Sequence, residues 1–246
     1  MLILANLLIC ALFVGWLINR YDLYDKEPWY MLLLAVILGT AFMHLSLDPQ
    51  VWSITILYPH LSFAQSLALV AATHEELAKL LAVILIATIF RGVFKDPMDG
   101  LIYGSMVGIG AAIDESFGLL SELEGPLPPS EVVRIFGHAI FGGITGFGIG
   151  LYVIGHHRRH AFLALTLSAS MLLHYLWDLA TVELVEPSQT ASFSCCMIML
   201  CGLAIYGRLI CVAQYHSRKR FNPDHHHRLF GWPISLVLKP PRSPSP

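Results

Sequence analysis

The chain has 246 residues, of which 56% are hydrophobic and only 13% are charged. This composition and a mean hydropathy of +0.65 exclude an ordinary soluble domain and indicate a membrane protein with several spans. The formal net charge of −2 shows no basic excess, so we expect no nucleic acid among its partners. The five cysteines fall inside apolar segments without zinc-site or disulfide spacing, which indicates small hydrophobic side chains.

Apolar segments long enough to cross a bilayer recur along the chain and predict an all-α, polytopic transmembrane helix bundle with about seven spans. The predicted spans run over 2–18, 29–47, 62–90, 98–120, 132–154, 161–182 and 190–213. The first span lacks a basic n-region and a small-residue cleavage site, so we expect it to be retained. The segment 48–60 is too short and too mixed to cross, and its Trp52 and Tyr58 predict an interfacial stretch.

Basic residues predict the orientation of these spans. If the spans alternate, the following residues share one side: Arg20, Lys26, Arg91, Lys95, Arg158, Arg159, Arg218, Lys219 and Arg220. The opposite loops are acidic and carry no Lys or Arg before Arg134, whose side chain can snorkel to the interface. Because basic loops favour the cytoplasm, we predict the N-terminus outside and the C-terminus inside. Residues 1–213 are then the integral-membrane domain, and residues 214–246 form a cytoplasmic, disordered, basic and proline-rich tail.

Residues 73–79, Thr-His-Glu-Glu-Leu-Ala-Lys, place two carboxylates and an ammonium near the middle of the third predicted span. Each charge at that depth opposes insertion by about 2.5 kcal/mol or more, so such residues mark functional sites when partners exist for them. Helical geometry puts Glu75 and Lys79 on one stripe of this span, with Glu76 on its shoulder. We therefore look for their partners on the other spans.

Three further spans carry polar residues on a single helical face. The face of the fourth ends in Glu115, that of the fifth carries His138, and that of the sixth aligns His174 with Asp178. With the predicted orientation, Glu75 lies about 18 Å from the outer end of its span. Glu115, His138 and His174 lie about 8, 9 and 12 Å deep, respectively. All four belong to the outer half of the membrane, as one site that opens to the outside requires.

Such a set of side chains suits few reactions. A carboxylate with two imidazoles is the ligand set of a catalytic zinc site, beside which a second carboxylate can act as general base. Without a metal, a glutamate can activate water while a histidine stabilises the oxyanion. Two other functions also fit intramembrane charges, namely a non-catalytic scaffold and an ion- or proton-coupled transporter. The apolar inner segments 80–89 and 163–167 and the lack of an inverted repeat disfavour the transporter.

The order of these motifs resembles that of the PrsW family of bacterial intramembrane proteases over residues 24–178. The acidic Glu-Pro signature of the family corresponds to residues 25–29, Asp-Lys-Glu-Pro-Trp. Its hallmark Glu-Glu-x-x-Lys corresponds to residues 75–79, Glu-Glu-Leu-Ala-Lys. An Asp-Gly-Leu block follows at residues 99–101. Each of these blocks adjoins or lies on a different predicted span.

The remaining blocks follow in the family order. Spaced glycines after the Asp-Gly-Leu block lead to Glu115, His138 precedes a glycine-rich run, and a closing His-x-x-x-Asp is His174 with Asp178. The chain departs from the family in residues 111–116, Ala-Ala-Ile-Asp-Glu-Ser, where the family usually has Phe-Ala-x-x-Glu-Asn. Within that segment, the resemblance therefore implies a functional role for Glu115 alone.

This resemblance implies an intramembrane endopeptidase of the bacterial cytoplasmic membrane that cuts a single-span, anti-sigma-factor-like protein near its outer side. The catalytic residues implied are Glu75, Glu76, His138 and His174. We expect Glu75 to activate water, and Glu76, His138 and His174 to bind a metal, with Zn²⁺ expected, or to polarise the scissile carbonyl. The expected supporting residues are Lys79, Glu115 and Asp178. The wider superfamily includes prenyl-protein endopeptidases and a scaffold subunit of gamma-secretase, so the scaffold alternative stays open.

Overall fold

The computed structural model describes residues 2–120, 127–182 and 189–221, and these residues form a bundle of helices. The helices are α1 (Leu2–Asn19), α2 (Trp29–Leu45), α3 (Leu47–Leu57), α4 (Phe63–Ile89), α5 (Pro97–Leu120), α6 (Pro129–Val153), α7 (Arg159–Val182) and α8 (Gln189–Phe221). No strand occurs in these ranges, which confirms the predicted all-α class.

Four helical segments are long and apolar enough to cross a membrane. They are Trp29–Leu57, Pro129–Val153, Arg159–Thr181 and Ser192–Phe221, while α1 is a shorter apolar helix. Helices α4 and α5 have 27 and 24 residues, but buried acidic and basic side chains make them less apolar. The count of about seven spans and the orientation stay predictions.

Helix α8 continues to Phe221, past the end predicted for the last span at residue 213. Gln214 donates from Nε2 to the carbonyl oxygen of Tyr21 at 2.9 Å, and Arg220 donates to the carbonyl oxygen of Lys95. These contacts hold the last turns of α8 against two loops, so the residues after 213 stay helical as far as Phe221. Residues 222–246, which make up most of the predicted tail, lie outside the described residues.

A seam of glycines brings α5 and α6 into direct backbone contact. A Cβ atom added to Gly104 would lie 2.2 Å from the carbonyl oxygen of Gly142, and one added to Gly108 would lie 2.0 Å from that of His138. Small residues allow membrane helices to approach this closely. The seam therefore sets the position of His138 relative to α5.

Replacing Gly104 by alanine is expected to destabilise the protein by about 1–3 kcal/mol, because the added methyl group forces two backbones apart. Unfolding of the purified protein in mixed micelles with increasing SDS measures this change. Gly92→Ala is the matched control, since a Cβ at Gly92 meets no atom within 4 Å. Equal unfolding midpoints for the two variants would contradict the role of the seam.

Helix α4 turns its polar stripe into the bundle, as its sequence pattern predicts. The buried members of the stripe are Ala68, Ala72, Glu75, Lys79 and Ala82. The helix begins with a capping box in which Ser62 and Gln65 bond each other's backbone N–H groups. It packs against α7, whose own polar face is joined to α6 by the Ser170 hydroxyl, which donates to the Phe141 carbonyl at 2.8 Å. The polar faces of α4, α6 and α7 thus converge.

Candidate active site

Side chains from α4, α6 and α7 meet in a buried group that we call the catalytic cluster: Glu75, His138 and His174. Each offers one ligand atom, and these atoms all lie within 4.8 Å of one another. Their side chains are almost completely buried, with exposed fractions of 7%, 6% and 2%. The structure therefore brings together residues that lie on three different predicted spans.

Glu76 lies behind this cluster and is held by two other groups. Its Oε1 is 2.6 Å from Nζ of Lys79 and 2.9 Å from Nδ1 of His174, and all three side chains are buried. Consecutive residues on a helix point about 100° apart, so Glu75 and Glu76 cannot face the same space. The expected ligand set contained Glu76, whereas the geometry groups Glu75 with the two histidines.

The carboxylates around His174 determine which of its nitrogens is free. Nδ1 bonds Glu76, while Nε2 faces Oε2 of Glu75 at 3.6 Å and Oδ2 of Asp178 at 3.5 Å. A carboxylate acceptor keeps the imidazole proton on the nitrogen that it bonds. We therefore assign the proton to Nδ1, which leaves the lone pair of Nε2 directed toward Glu75.

His138 has an equivalent arrangement on α6. Its Nε2 is 3.1 Å from Oε2 of Glu115, which also lies 3.4 Å from Nε of Arg134 through its other oxygen. Its Nδ1 is buried and has no hydrogen-bond partner among the described residues. Each histidine thus has one nitrogen bonded to a carboxylate and one left for a ligand, as metal-binding histidines have.

The catalytic cluster fits a metal ion. Oε2 of Glu75 and Nδ1 of His138 are both buried without a hydrogen-bond partner in the described part of the chain. Buried polar atoms normally have partners, so two unpaired acceptors in one place indicate a ligand. One carboxylate and two imidazoles are also the protein ligands of one type of catalytic zinc site. This buried Glu–His–His group can therefore hold a metal.

A cavity of about 760 Å³ opens onto the cluster. Glu75, His138 and Asp178 line it, whereas Glu76 and His174 do not. Other lining residues come from the end of α2, the start of α4, the end of α5, the start of α6 and the end of α7: Met43, Leu67, Phe117, Ser130, Arg134, Trp177 and Thr181. The helix ends that carry these residues lie together at one end of the bundle. Of the two adjacent glutamates, Glu75 and Glu76, Glu75 is therefore the one that faces this cavity.

Sequence reasoning missed the polar network that supports one wall of this cavity. Glu131 accepts hydrogen bonds from the Ser116 hydroxyl at 2.5 Å and from Nη1 of Arg134 at 2.9 Å. Arg134 bridges Glu131 and Glu115. The spacing of Glu131 and Arg134 on one helical face is a signal for this pair. The contact with Ser116 depends on how α5 and α6 pack.

A helical bundle with a buried Glu–His–His group beside a cavity has the ligands that a metal-dependent hydrolase in a membrane needs. The family model of the PrsW family intramembrane metalloproteases matches residues 27–206, which is well over half of the chain. The protein belongs to this family and is an intramembrane protease, which confirms the resemblance seen in its sequence motifs. No curated protein and no solved structure matches the chain significantly.

Proposed function

We propose that the protein hydrolyses a peptide bond of a single-span membrane protein, similar to an anti-sigma factor, near the outer side of its span. The observation that supports this proposal is the catalytic cluster at the base of an open cavity. The cavity lies at the bundle end opposite the basic loops. Since such loops favour the cytoplasm, the cavity opens outward from a bacterial inner membrane, with the N-terminus outside and the C-terminus inside.

Two carboxylates fix the orientation and the tautomer of the two imidazole rings for this reaction. Glu76 accepts a hydrogen bond from Nδ1–H of His174, and Glu115 accepts one from Nε2–H of His138. The ammonium group of Lys79 compensates the negative charge of the buried Glu76 carboxylate. The two free imidazole nitrogens and Oε2 of Glu75 remain available to bind and orient the reacting groups.

Glu75, His138 and His174 would hold the metal, for which Zn²⁺ is the expected ion. Bound in such a site, a metal lowers the pKa of water and polarises the scissile carbonyl. Asp178, whose Oδ2 lies 3.5 Å from Nε2 of His174 on the cavity wall, accepts the proton of the attacking water. In the metal-free alternative, Oε2 of Glu75 accepts this proton itself.

Metal removal separates these two routes. Chelation is expected to stop cleavage by the purified protein, and adding back about one equivalent of Zn²⁺ is expected to restore it, because three buried donors share one ion. Mass spectrometry of the metal content should detect the ion in the parent chain and its loss in a His138→Ala/His174→Ala variant. Cleavage that survives complete metal removal would assign water activation to Glu75 alone.

A further inference from the structure

A second polar group lies at the basic end of the bundle, where α1, α4 and α6 end. We call it the acidic cluster, and its carboxylates are Asp22, Asp25, Glu27, Asp96 and Asp99. They come from the loop between α1 and α2, the loop between α4 and α5, and the first turn of α5. The cluster unites the sequence blocks 25–29 and 99–101, for which the proposed proteolytic reaction gives no chemical role.

Hydrogen bonds hold these segments together. Lys95 contacts Oδ2 of Asp25 at 2.6 Å, and the Tyr103 hydroxyl donates to Glu27. Oδ2 of Asp99 accepts from the backbone N–H groups of Lys95 and Asp96, the latter at 2.8 Å. The two loops and the start of α5 therefore form one framework around the carboxylates.

Negative charge in this framework exceeds positive charge. Within the described ranges, the Lys95–Asp25 contact is the one ion pair that involves a carboxylate of the acidic cluster. Arg220 approaches from α8 and donates to the carbonyl oxygen of Lys95 rather than to a carboxylate. Asp22, Asp96 and Asp99 are nevertheless at most 2% exposed. Such a buried excess of carboxylates needs a counter-charge or protons.

Unpaired oxygen atoms independently indicate a ligand here. Oδ2 of Asp22 and Oε1 of Gln214 are buried without a hydrogen-bond partner in the described residues. Nε2 of Gln214 donates to the carbonyl oxygen of Tyr21, the residue before Asp22, and the Ser217 hydroxyl donates to the carboxylate of Asp96. Helix α8 thus adds neutral oxygen atoms to a group of carboxylates, and oxygen is the ligand that hard cations prefer.

Burial also changes how tightly the carboxyl groups of the two loops bind protons. Burial raises the pKa of Asp22 and of Glu27 to about 7, and it also raises the pKa of Asp96 despite the nearby Arg220. A carboxyl group with a raised pKa binds its proton more tightly in the folded protein than in the unfolded chain. Folding stability is therefore lost as the pH rises from about 4 through about 7, unless a cation replaces the proton.

We propose that the acidic cluster binds a partly hydrated divalent cation of the Mg²⁺ type, which ties the end of α8 to the two loops. Mg²⁺ keeps several of its waters and needs only one or two protein carboxylates, so the donors need not be as close together as those of the catalytic cluster. Asp22 and Asp96 are the direct carboxylate ligands, and Gln214 and Ser217 accept hydrogen bonds from the bound waters or contact the ion. This site is separate from the proposed proteolytic centre.

The first test measures thermal unfolding of the full chain in detergent with and without Mg²⁺. A Glu75→Gln/His138→Gln background removes two of the three catalytic-cluster ligands, so the response does not depend on the proposed function. Saturating Mg²⁺ is expected to raise the Tm by about 5 °C, and by more at pH 8 than at pH 6, because protons compete with the cation. Adding Asp22→Asn/Asp96→Asn should abolish the shift, whereas Asp48→Asn, at an exposed acidic residue elsewhere, should retain it.

Mn²⁺ binding followed by electron paramagnetic resonance provides a second measurement, which keeps the acidic cluster intact and so does not depend on the folding of the asparagine variant. One bound Mn²⁺ in the Glu75→Gln/His138→Gln chain, displaced by excess Mg²⁺, is the expected result. No bound Mn²⁺, or a Mg²⁺ shift that survives Asp22→Asn/Asp96→Asn, would overturn the proposal. If Mg²⁺ does not change the Tm and the Asp22→Asn/Asp96→Asn variant has a higher Tm than its parent, then bound protons, and not a cation, neutralise the acidic cluster.

Discussion

Replacement of Glu75 by glutamine is expected to lower the rate of substrate cleavage by about 10²–10⁴-fold or more, while the protein stays folded in the membrane. Glutamine keeps the size of the side chain and one carbonyl oxygen but cannot accept a proton or bind a metal as a carboxylate. Glu75 is the carboxylate that belongs to the catalytic cluster and also lines the cavity. No other carboxylate combines these two positions within the described residues.

The measurement compares new protein N- and C-termini in cells that carry the parent chain or the Glu75→Gln variant at equal membrane levels. A small number of single-span proteins should lose products cut on the outer side only in the variant, and these proteins are then the substrates. Asp48→Asn, at an exposed carboxylate outside the cavity wall, serves as the control and should match the parent. If cells with the parent chain and cells with the Glu75→Gln variant contain the same set of new protein termini, the result would favour the non-catalytic scaffold.

Replacement of Lys79 by methionine is expected to destabilise the protein by about 3–5 kcal/mol, because it leaves the carboxylate of Glu76 buried without its cation. Nζ of Lys79 lies 2.6 Å from Oε1 of Glu76, and both side chains are essentially inaccessible to solvent. Unfolding in mixed micelles measures this loss. Lys26→Met is the control, since Lys26 is exposed and donates to the backbone carbonyl of Asn19, so its replacement is expected to change stability by about 0.5 kcal/mol or less.

The Lys79→Met/Glu76→Gln double variant separates stability from catalysis. Removing both charges is expected to recover most of the lost stability, because no unpaired charge then remains in the bundle. Cleavage should stay low, since Nδ1 of His174 loses the carboxylate that fixes its proton. A Lys79→Met protein as stable as the parent would contradict a charged Glu76–Lys79 pair.

Local sequence patterns were enough to predict which faces of the helices are buried. A charge near the middle of an apolar segment must turn away from lipid, so the positions of Glu75 and Lys79 on one stripe of α4 follow from helical periodicity. The same reasoning places His174 on the inner face of α7. These predictions depend only on the spacing of residues along a single helix, and the structure confirms them.

The choice between Glu75 and Glu76 could not be made in this way. Both residues are buried, with whole-residue exposed fractions of 5% and 0%, so burial does not distinguish them. Only the packing of α4 against α7 puts Glu76 against Nδ1 of His174 and leaves Glu75 facing the cavity. The ligand set expected from the sequence contained Glu76, whereas the geometry groups Glu75 with the two histidines, and the choice between them stays a prediction.

The sequence by itself determined a helical membrane protein, the buried faces of its helices and the family motifs, because each depends on composition and periodicity along one segment. The tertiary structure decided which partners the buried charges have on other helices: His174 for Glu76, Glu115 for His138, and the close approach of loops and α8 around the acidic cluster. These pairings join residues on different helices or select one neighbour among several. The distances between helices determine these contacts, and no spacing of residues along one helix encodes those distances.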